Sequence, residues 1–282
     1  MRRHTLPHRG GCMIASLFLG LALAAEPPPG GWPPPPAEST VASVYDGDTV
    51  TLATGDKIRL RWVNTPELRP PEDFGYEAKA LTERFVGNKR VTLVMSGDNP
   101  RDGYGRVVAG LDTREGSLTL QLLEQGLGHL FVIPPDDTDL TEMIAAQDRA
   151  RAARLGIWST DRYQGELHIT SFHANAPGND RENPNGEYLR VSNVSDHPVD
   201  LSSYVMTDRS GRRFALPDVV VPVGYTVKVH SGQGEHQRDT SQQLAVYLGS
   251  EGPVWNNDGD RATILDANDR VVDFREHAPR SR

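Results

Sequence analysis

The chain has 282 residues, of which 37% are hydrophobic and 24% charged, so one or two globular domains of ordinary size are expected. A single cysteine excludes an intramolecular disulfide framework and a cysteine-based zinc site. The formal net charge of −8 argues against a general electrostatic binder of nucleic acids, because such proteins usually carry a basic surface.

The N-terminal segment has the pattern of an export signal. Residues 1–12 carry three arginines and no acid, and the apolar run that follows is too short to span a bilayer comfortably. Ala22-Leu23-Ala24 forms an A-x-A cleavage site, so we expect residues 1–24 to be a signal peptide of a secreted or periplasmic protein. The alternative is an uncleaved membrane anchor. The proline-rich segment 25–38 predicts an extended linker.

Residues 39–160 show a mixed pattern of strands and helices. Alternating segments flank a DGD turn, and the periodicity of GYEAKALTERFV predicts a helix that buries Ala78, Leu81 and Phe85. Two further strands, KRVTLVM and GRVVAGL, precede two more helices, of which one is capped by Ser117. About five strands and three helices predict a small closed β-barrel with helices packed on it.

Residues 162–276 have a different texture. Short alternating segments such as LHITSF, EYLRVSNV and YTVKVHS are separated by Gly, Pro, Asn and Asp, which predicts an all-β sandwich. The segment Ser159–Gly165 between the two blocks is expected to be an exposed linker. The histidines His129, His168 and His173 are interpreted as ordinary surface or strand residues.

Asp46-Gly47-Asp48 is the first candidate for chemistry. Residues i and i+2 of an extended segment face the same side, so both carboxylates can point together. Two close carboxylates repel unless a cation lies between them, and hard oxygen ligands suit Ca²⁺ or Mg²⁺. The alternative is a hairpin turn that uses Asp-Gly chemistry alone.

Two arginines and a glutamate form the second candidate. Arg59 and Arg106 each lie at the start of a predicted strand, and Pro66 rigidifies the turn that presents Glu67. A carboxylate beside a metal site can act as a general base for water, and two guanidiniums can bind phosphate oxygens in an in-line displacement. Each arginine alone is more often part of a surface ion pair, but such ion pairs do not explain the whole set of residues.

The motifs DGDTV, IRLRWVNTPE, RDGYGR, QGL and GIW occur in this order. The stretch from about Ser43 to Trp158 thereby resembles the staphylococcal nuclease (thermonuclease) family. The resemblance implies an OB-fold barrel and Ca²⁺-dependent hydrolysis of phosphodiester bonds in DNA and RNA, with 3′-phosphorylated products.

The resemblance also implies roles for individual residues. The catalytic residues would be Arg59, Glu67 and Arg106; the calcium ligands would be Asp48, the backbone carbonyl of Thr65 and, as a supporting carboxylate, Asp46; Tyr104 would lie near the phosphate of the bound nucleotide. Asn64 stands where the best-known member has a calcium-binding aspartate. Its amide oxygen can still coordinate Ca²⁺, but one negative charge is lost, so we expect weaker binding of the ion. Phe131 is the remaining candidate for stacking on a base, or else a core residue.

The second block is similar to bacterial lamin tail domains through EYLRVSN, VDLSSYVMTDRSGRRFALP and TVKVHSGQG. This resemblance implies an Ig-like sandwich with a binding or localisation role and no chemistry of its own. The loop from Trp255 to Asp260 lacks the leading aspartate of an EF-hand, so a tight turn is expected there rather than a metal loop.

The sequence therefore predicts a mainly β protein, an OB-fold barrel followed by an Ig-like sandwich, acting as a secreted Ca²⁺-dependent nuclease. A monomer that favours single-stranded DNA and RNA is expected, with the partner of the sandwich unspecified. The alternatives are a catalytically silent nucleic-acid-binding barrel and a surface adhesion protein. Because no catalytic motif lies beyond Trp158, a chain ending near Arg162 is expected to fold alone and to hydrolyse short oligonucleotides.

Overall fold

A computed structural model describes residues 31–95 and 100–277. The predicted signal peptide 1–24 and residues 25–30 of the predicted linker lie outside the described residues. Among the helices of the described part, none has the length and the hydropathy that a membrane span needs.

Residues 38–131 contain the strands of a closed barrel. The strands are β1 (Glu38–Val44), β2 (Thr49–Leu52), β3 (Lys57–Leu60), β4 (Trp62–Asn64), β5 (Arg90–Val94), β6 (Val107–Thr113), β7 (Gly116–Ser117) and β8 (His129–Phe131). Antiparallel pairs join β3 to β2, β2 to β1, β1 to β5 and β5 to β6, and the parallel pair of β3 with β6 closes the ring. Strand β7 extends β6, and β4 pairs with β8. The predicted OB-like barrel is confirmed.

Three helices cover the barrel. They are α1 (Gly75–Val86), α2 (Leu118–Glu124) and α3 (Thr141–Ala152). The predicted apolar face of α1 is buried at Ala78, Leu81 and Phe85, where it joins the barrel core. Ser117 precedes α2 at the N-cap position, although its side chain makes no capping hydrogen bond. We call residues 38–152 the barrel domain.

Residues 167–277 form the sandwich domain. Its strands are β9 (Leu167–His173), β10 (Tyr188–Asn193), β11 (Val199–Asp200), β12 (Val205–Thr207), β13 (Arg213–Ala215), β14 (Val220–Val221), β15 (Thr226–His230), β16 (Ala245–Tyr247), β17 (Asp260–Leu265) and β18 (Val271–His277). One sheet has the order β16-β15-β10-β9 and the other β13-β12-β17-β18. Alternate residues of both sheets fill one hydrophobic core, so the predicted Ig-like sandwich is confirmed.

The loop after Trp255 is a turn, as expected. Asn256 Oδ1 accepts a hydrogen bond from the Asp258 N–H at 2.9 Å, and Asp260 Oδ2 accepts one from the Asn256 N–H at 2.8 Å. The acidic and amide side chains of this loop therefore cap backbone groups.

The two domains are joined through backbone hydrogen bonds and a buried aromatic cluster. The Val132 N–H donates to the Gly224 carbonyl and the Thr226 N–H donates to the Val132 carbonyl, both at 2.9 Å. Gly224 is required here, because its φ is +76° and a Cβ would lie 2.7 Å from that of Leu130.

The expectation of an exposed linker at Ser159–Gly165 is wrong for Tyr163, although Ser159, Asp161 and Gln164 are exposed. Trp158 is 1% and Tyr163 5% exposed, and two short 3₁₀ helices occupy this segment (Gly156–Ser159 and Asp161–Tyr163). Because aromatic side chains bury large areas, this segment is part of the hydrophobic contact between the domains.

Two of the three histidines interpreted as ordinary residues lie in the same contact. His129 is fully buried and His168 is 1% exposed. The Tyr163 ring lies 5.9 Å from the His129 ring and 4.4 Å from the His168 ring. They are strand residues, as proposed, but they form the centre of the domain interface rather than a surface.

Candidate active site

The DGD turn between β1 and β2 is pressed against α1 and the end of β4. The Asp48 N–H donates to Asp46 Oδ1 at 3.1 Å, and the Thr82 hydroxyl donates to the Gly47 carbonyl at 2.7 Å. A Cβ on Gly47 would lie 2.6 Å from Thr65 Oγ1, so only glycine fits at this position. The segment Asp46-Gly47-Asp48 is therefore a tight turn and also the source of two carboxylates.

Asp48 is the central acceptor of the site. Its Oδ2 accepts hydrogen bonds from the Thr65 N–H at 2.9 Å and the Thr65 hydroxyl at 3.1 Å, and it lies 3.2 Å from Arg59 Nη1. The β2–β3 register places Thr49 opposite Arg59, which brings the arginine beside the residue before Thr49. The hairpin thus fixes a buried ion pair at one end of the barrel.

Arg59 is held by four acceptors. Besides Asp48, its Nη1 donates to the carbonyls of Leu60 and Val63, and its Nη2 donates to Asn64 Oδ1 at 2.8 Å. A guanidinium fixed in this way has a set orientation before any substrate arrives. Asn64, expected to be a calcium ligand, here orients Arg59.

Arg106 is positioned by a tight turn that begins at Asp102. The Asp102 Oδ1 accepts hydrogen bonds from the N–H groups of Tyr104 and Arg106, and its Oδ2 accepts from Arg106 Nε at 2.7 Å. The Arg106 guanidinium lies 5.3 Å from the centre of the Tyr104 ring, which is 42% exposed. This turn therefore presents both side chains on the same side of the barrel.

Glu67 lies in the loop after β4 and is solvent-accessible at the edge of the cleft. Partial desolvation of its carboxyl, followed by repulsion from Asp48 and Glu72, raises its pKa. The pKa of Asp46 is raised as well, by burial and then by the carboxylates of Asp48 and Glu67. Asp46, Asp48 and Glu67 therefore share one crowded region of negative charge.

The donor chemistry of this region suits a hard divalent cation. Carboxylate oxygens of Asp46 and Asp48 and the amide oxygen of Asn64 are of the type that Ca²⁺ prefers, and the mutual repulsion of the acids favours a cation. Within residues 31–95 and 100–277, no group of three or more His, Cys, Asp or Glu residues has the spacing of a metal site. The predicted ligands thus have the chemistry that a hard divalent cation requires. In this structure Arg59 contacts the oxygens of Asp48 and Asn64.

With the exception of Thr65, the predicted site residues line one cleft of about 1200 Å³ between the domains. The barrel domain provides all of them: Asp46, Asp48, Arg59, Asn64, Glu67, Tyr104, Arg106 and Phe131. Thr65 is buried behind the cleft against Asp48. Phe131 is half-buried, and Arg59 lies 5.5 Å from the centre of its ring, so it is part of the cleft wall rather than of the barrel core.

The opposite wall comes from the sandwich domain, whose sequence carries no catalytic motif. Tyr188, Arg190 and Lys228 line the same cleft. The alternation of EYLRVSN and YTVKVHS places these side chains on the face opposite the sandwich core. This alternation is the one feature of the sequence that indicates their position. Nothing in that pattern says which surface this face meets.

Comparison with known proteins gives two family matches in the order expected. The model described as staphylococcal nuclease homologue matches residues 57–160, and the Lamin Tail Domain model matches residues 160–278. The thermonuclease of Staphylococcus intermedius is 30% identical over 125 residues, which cover 42% of this chain and 74% of that protein. The chain belongs to the staphylococcal nuclease family.

For two other relatives, the chain covers a smaller share of the relative's length. An uncharacterised protein of Bacillus anthracis is 31% identical over 134 residues, and endonuclease YncB of Bacillus subtilis is 26% identical over 132 residues. Each match covers 63% of the relative. The chain therefore spans less than two thirds of the length of each of these two relatives.

Proposed function

We propose that this chain is a nuclease that hydrolyses phosphodiester bonds of DNA and RNA. The supporting observation is that Glu67, Arg59 and Arg106, which come from three separate segments, line one cleft. Nuclease-named relatives support the same class of hydrolase. A carboxylate base and two guanidiniums are the groups that displacement at phosphorus requires.

In this proposal Glu67 accepts a proton from a water molecule as the water oxygen attacks phosphorus. The P–O5′ bond breaks, the 5′ oxygen takes up a proton, and the product keeps a 3′-phosphate. Arg106 uses Nε for Asp102, which leaves its Nη groups for phosphate oxygens. Arg59, oriented by Asp48 and Asn64, offsets the charge that develops on the phosphate.

We propose Ca²⁺ as the cofactor, held by Asp48, Asp46, Asn64 and the backbone carbonyl of Thr65. The ion would supply positive charge for binding a phosphate and for offsetting the charge of the transition state. Release of Arg59 from Asn64 upon binding would free both a ligand and a guanidinium donor.

We further infer a secreted or periplasmic monomer that favours single strands. The pattern of residues 1–24 supports export. An unpaired base can reach the half-buried ring of Phe131, whereas a stacked duplex keeps its bases inside.

The test compares the full mature chain with its Glu67→Gln variant on single-stranded DNA and RNA, in Ca²⁺ or in EDTA. We expect a loss of turnover of about 10²-fold or more in the variant, as for removal of a general base. The exposed Glu115→Gln, which loses only a surface ion pair with Lys89, serves as the matched control. Mass spectrometry of the products assigns the phosphate to the 3′ or 5′ end.

Binding without hydrolysis by the wild-type chain in Ca²⁺ would favour the silent nucleic-acid-binding barrel instead. Equal turnover of the wild type and Glu67→Gln would remove the glutamate from the proposed role. Full activity in EDTA would overturn the proposed cofactor while leaving the proposed nuclease activity.

A further inference from the structure

We propose that the sandwich domain supplies a phosphate-binding pair, Arg190 and Lys228, which holds the backbone of a nucleic-acid strand beyond the bond that is cleaved. This inference rests on the proposed nuclease function. It gives the lamin tail domain a role in substrate binding at the active-site cleft itself.

The two cations are brought together by strand register. In the antiparallel pair of β10 and β15, Arg190 lies directly opposite Lys228. Like charges in this position repel each other and destabilise the sheet. An anion that contacts both side chains removes this repulsion, so the arrangement favours a bound phosphate.

The ion pairs of the cleft single out the same two residues. Five arginine and lysine side chains line it, and three of them pair with acids of the same cleft: Arg59 with Asp48, Arg61 with Asp136 and Arg106 with Asp102. Within the described parts of the chain, no carboxylate lies at ion-pair distance from Arg190 or Lys228. The positive charge of the sandwich wall is therefore uncompensated.

Neutral groups orient Arg190 without cancelling its charge. Its Nη1 donates to the Thr226 hydroxyl at 3.1 Å, and the Gln243 amide oxygen, turned towards the guanidinium, accepts from it at 2.8 and 3.0 Å. Burial lowers the pKa of Arg190 to about 10, so the group is still charged at neutral pH. A partly desolvated charge without a counter-ion is costly, and an anionic ligand offsets that cost.

Lys228 is oriented in a similar way. Its Nζ lies 4.5 Å from the centre of the Tyr188 ring, a cation–π contact that does not neutralise the ammonium. The ring in turn stacks on His173 at 4.3 Å. The ammonium group is thus held at the cleft by an aromatic support.

Phe131 connects this pair to the catalytic arginines. The Arg59 guanidinium lies 5.5 Å and the Arg190 guanidinium 5.9 Å from the centre of the same ring. A strand whose scissile phosphate meets Arg59 and Arg106 can therefore stack a base on Phe131 and place a neighbouring phosphate at Arg190. Local positive charge of this kind allows an acidic protein to capture a polyanion.

The experiment measures binding and turnover separately in the full mature chain. Binding of a fluorescent single-stranded DNA 12-mer is measured by anisotropy over a series of salt concentrations, in the Glu67→Gln background, with and without Arg190→Gln and Lys228→Gln. The double variant Arg209→Gln with Lys57→Gln also removes one arginine and one lysine charge, but from exposed positions outside the cleft, and is the matched control. Thermal unfolding of each variant verifies the fold. Turnover of a dinucleotide with one phosphodiester bond is measured with Glu67 present.

We expect each cleft substitution to weaken binding of the 12-mer about three- to tenfold, with little change in the control. The plot of log affinity against log salt concentration should become less steep by about 0.7 for each positive charge removed. Turnover of the dinucleotide should change less than the affinity for the 12-mer, because the single phosphate of that substrate is the one that meets Arg59 and Arg106. Equal affinity and equal salt slope in the cleft double variant and the control would overturn the inference.

The experiment distinguishes failure of this inference from failure of the proposed nuclease function. If the wild-type chain hydrolyses no phosphodiester but the cleft variants lose affinity, the proposed function fails and the binding site stands. If hydrolysis occurs and binding is unaffected, the site fails and the function stands. Absence of any binding to the 12-mer also overturns the inference.

Discussion

Glu72 Oε2 accepts a hydrogen bond from the Glu67 N–H at 2.9 Å, and the Glu72 N–H donates back to the Glu67 carbonyl at 2.8 Å. The other carboxylate oxygen of Glu72 lies 3.2 Å from Arg162 Nη1 and 3.4 Å from Arg275 Nη2. Arg275 belongs to β18 of the sandwich domain. The backbone of the proposed base is therefore anchored, through one carboxylate, to the second domain.

This relationship predicts that Glu72 is a positioning residue. Glu72→Ala should lower kcat about 10- to 10²-fold, because a small displacement of a reacting group is expensive, while KM stays within about twofold. Glu72→Gln keeps an acceptor for the Glu67 N–H and should restore most of the rate. Steady-state kinetics on a single-stranded oligonucleotide separate the two parameters. A rise in KM alone, or equal losses in both variants, would contradict the positioning role.

Asn64→Asp should tighten the binding of Ca²⁺ by about tenfold, because affinity for this ion rises with the number of charged ligands. The measurement is the concentration of Ca²⁺ that gives half-maximal nuclease activity, supported by calorimetry of the metal alone. Asn64 Oδ1 accepts from Arg59 Nη2, so the variant also adds a charge beside Arg59. An unchanged or higher half-saturating concentration would show that Asn64 serves only to orient Arg59.

The buried domain interface argues against the expectation that the barrel domain is fully independent, an expectation that stays a prediction. A chain ending at Arg162 loses the hydrogen bonds of Val132 with Gly224 and Thr226 and exposes the cluster around His129. We expect its Tm to lie about 10 °C or more below that of the full chain, since each 1 kcal/mol lost lowers Tm by about 4–8 °C in a small domain. Equal Tm values, with full turnover of a dinucleotide, would restore the independent barrel.

The interface also makes stability depend on pH. Burial, and then the nearby His168, lower the pKa of His129 to about 3. The unfolded chain binds a proton at this residue below about pH 6.5 and the folded chain does not until about pH 3, so the free energy of unfolding falls as pH decreases through this window. The slope from this group is at most about 1.4 kcal/mol per pH unit.

His129→Phe should therefore make the decrease of stability between pH 6.5 and 4 shallower, as measured by urea unfolding at several pH values. His197 provides a control of opposite sign, because its hydrogen bond to Asp196, helped by Glu166, raises its pKa. The stability that His197 contributes is fully present below the pKa of this residue in the unfolded chain, and it is lost as pH rises through the pKa in the folded chain. His197→Gln should therefore not reduce the loss of stability at low pH. An unchanged slope in His129→Phe would contradict the assignment.

Local patterns in the sequence were sufficient for each domain by itself. The alternation of TVTLAT and KIRLRWV predicts the antiparallel pair of β2 and β3, and the register of that pair places Arg59 beside Asp48. The apolar spacing of α1 fixes its buried face at Ala78, Leu81 and Phe85. These features depend on neighbours in the chain, so their periodicity carries the information.

The contacts between the domains were decided only by the tertiary structure. Tyr163 has the sequence context of a linker residue and yet is buried between His129 and His168. Glu72 meets Arg275 from more than two hundred positions away, and Arg190 reaches Phe131 across the cleft. Docking of two surfaces depends on shape and on the pairing of single charges, which leave no periodic signal in the sequence; for that reason the second wall of the cleft could be recognised only once the two domains were seen together.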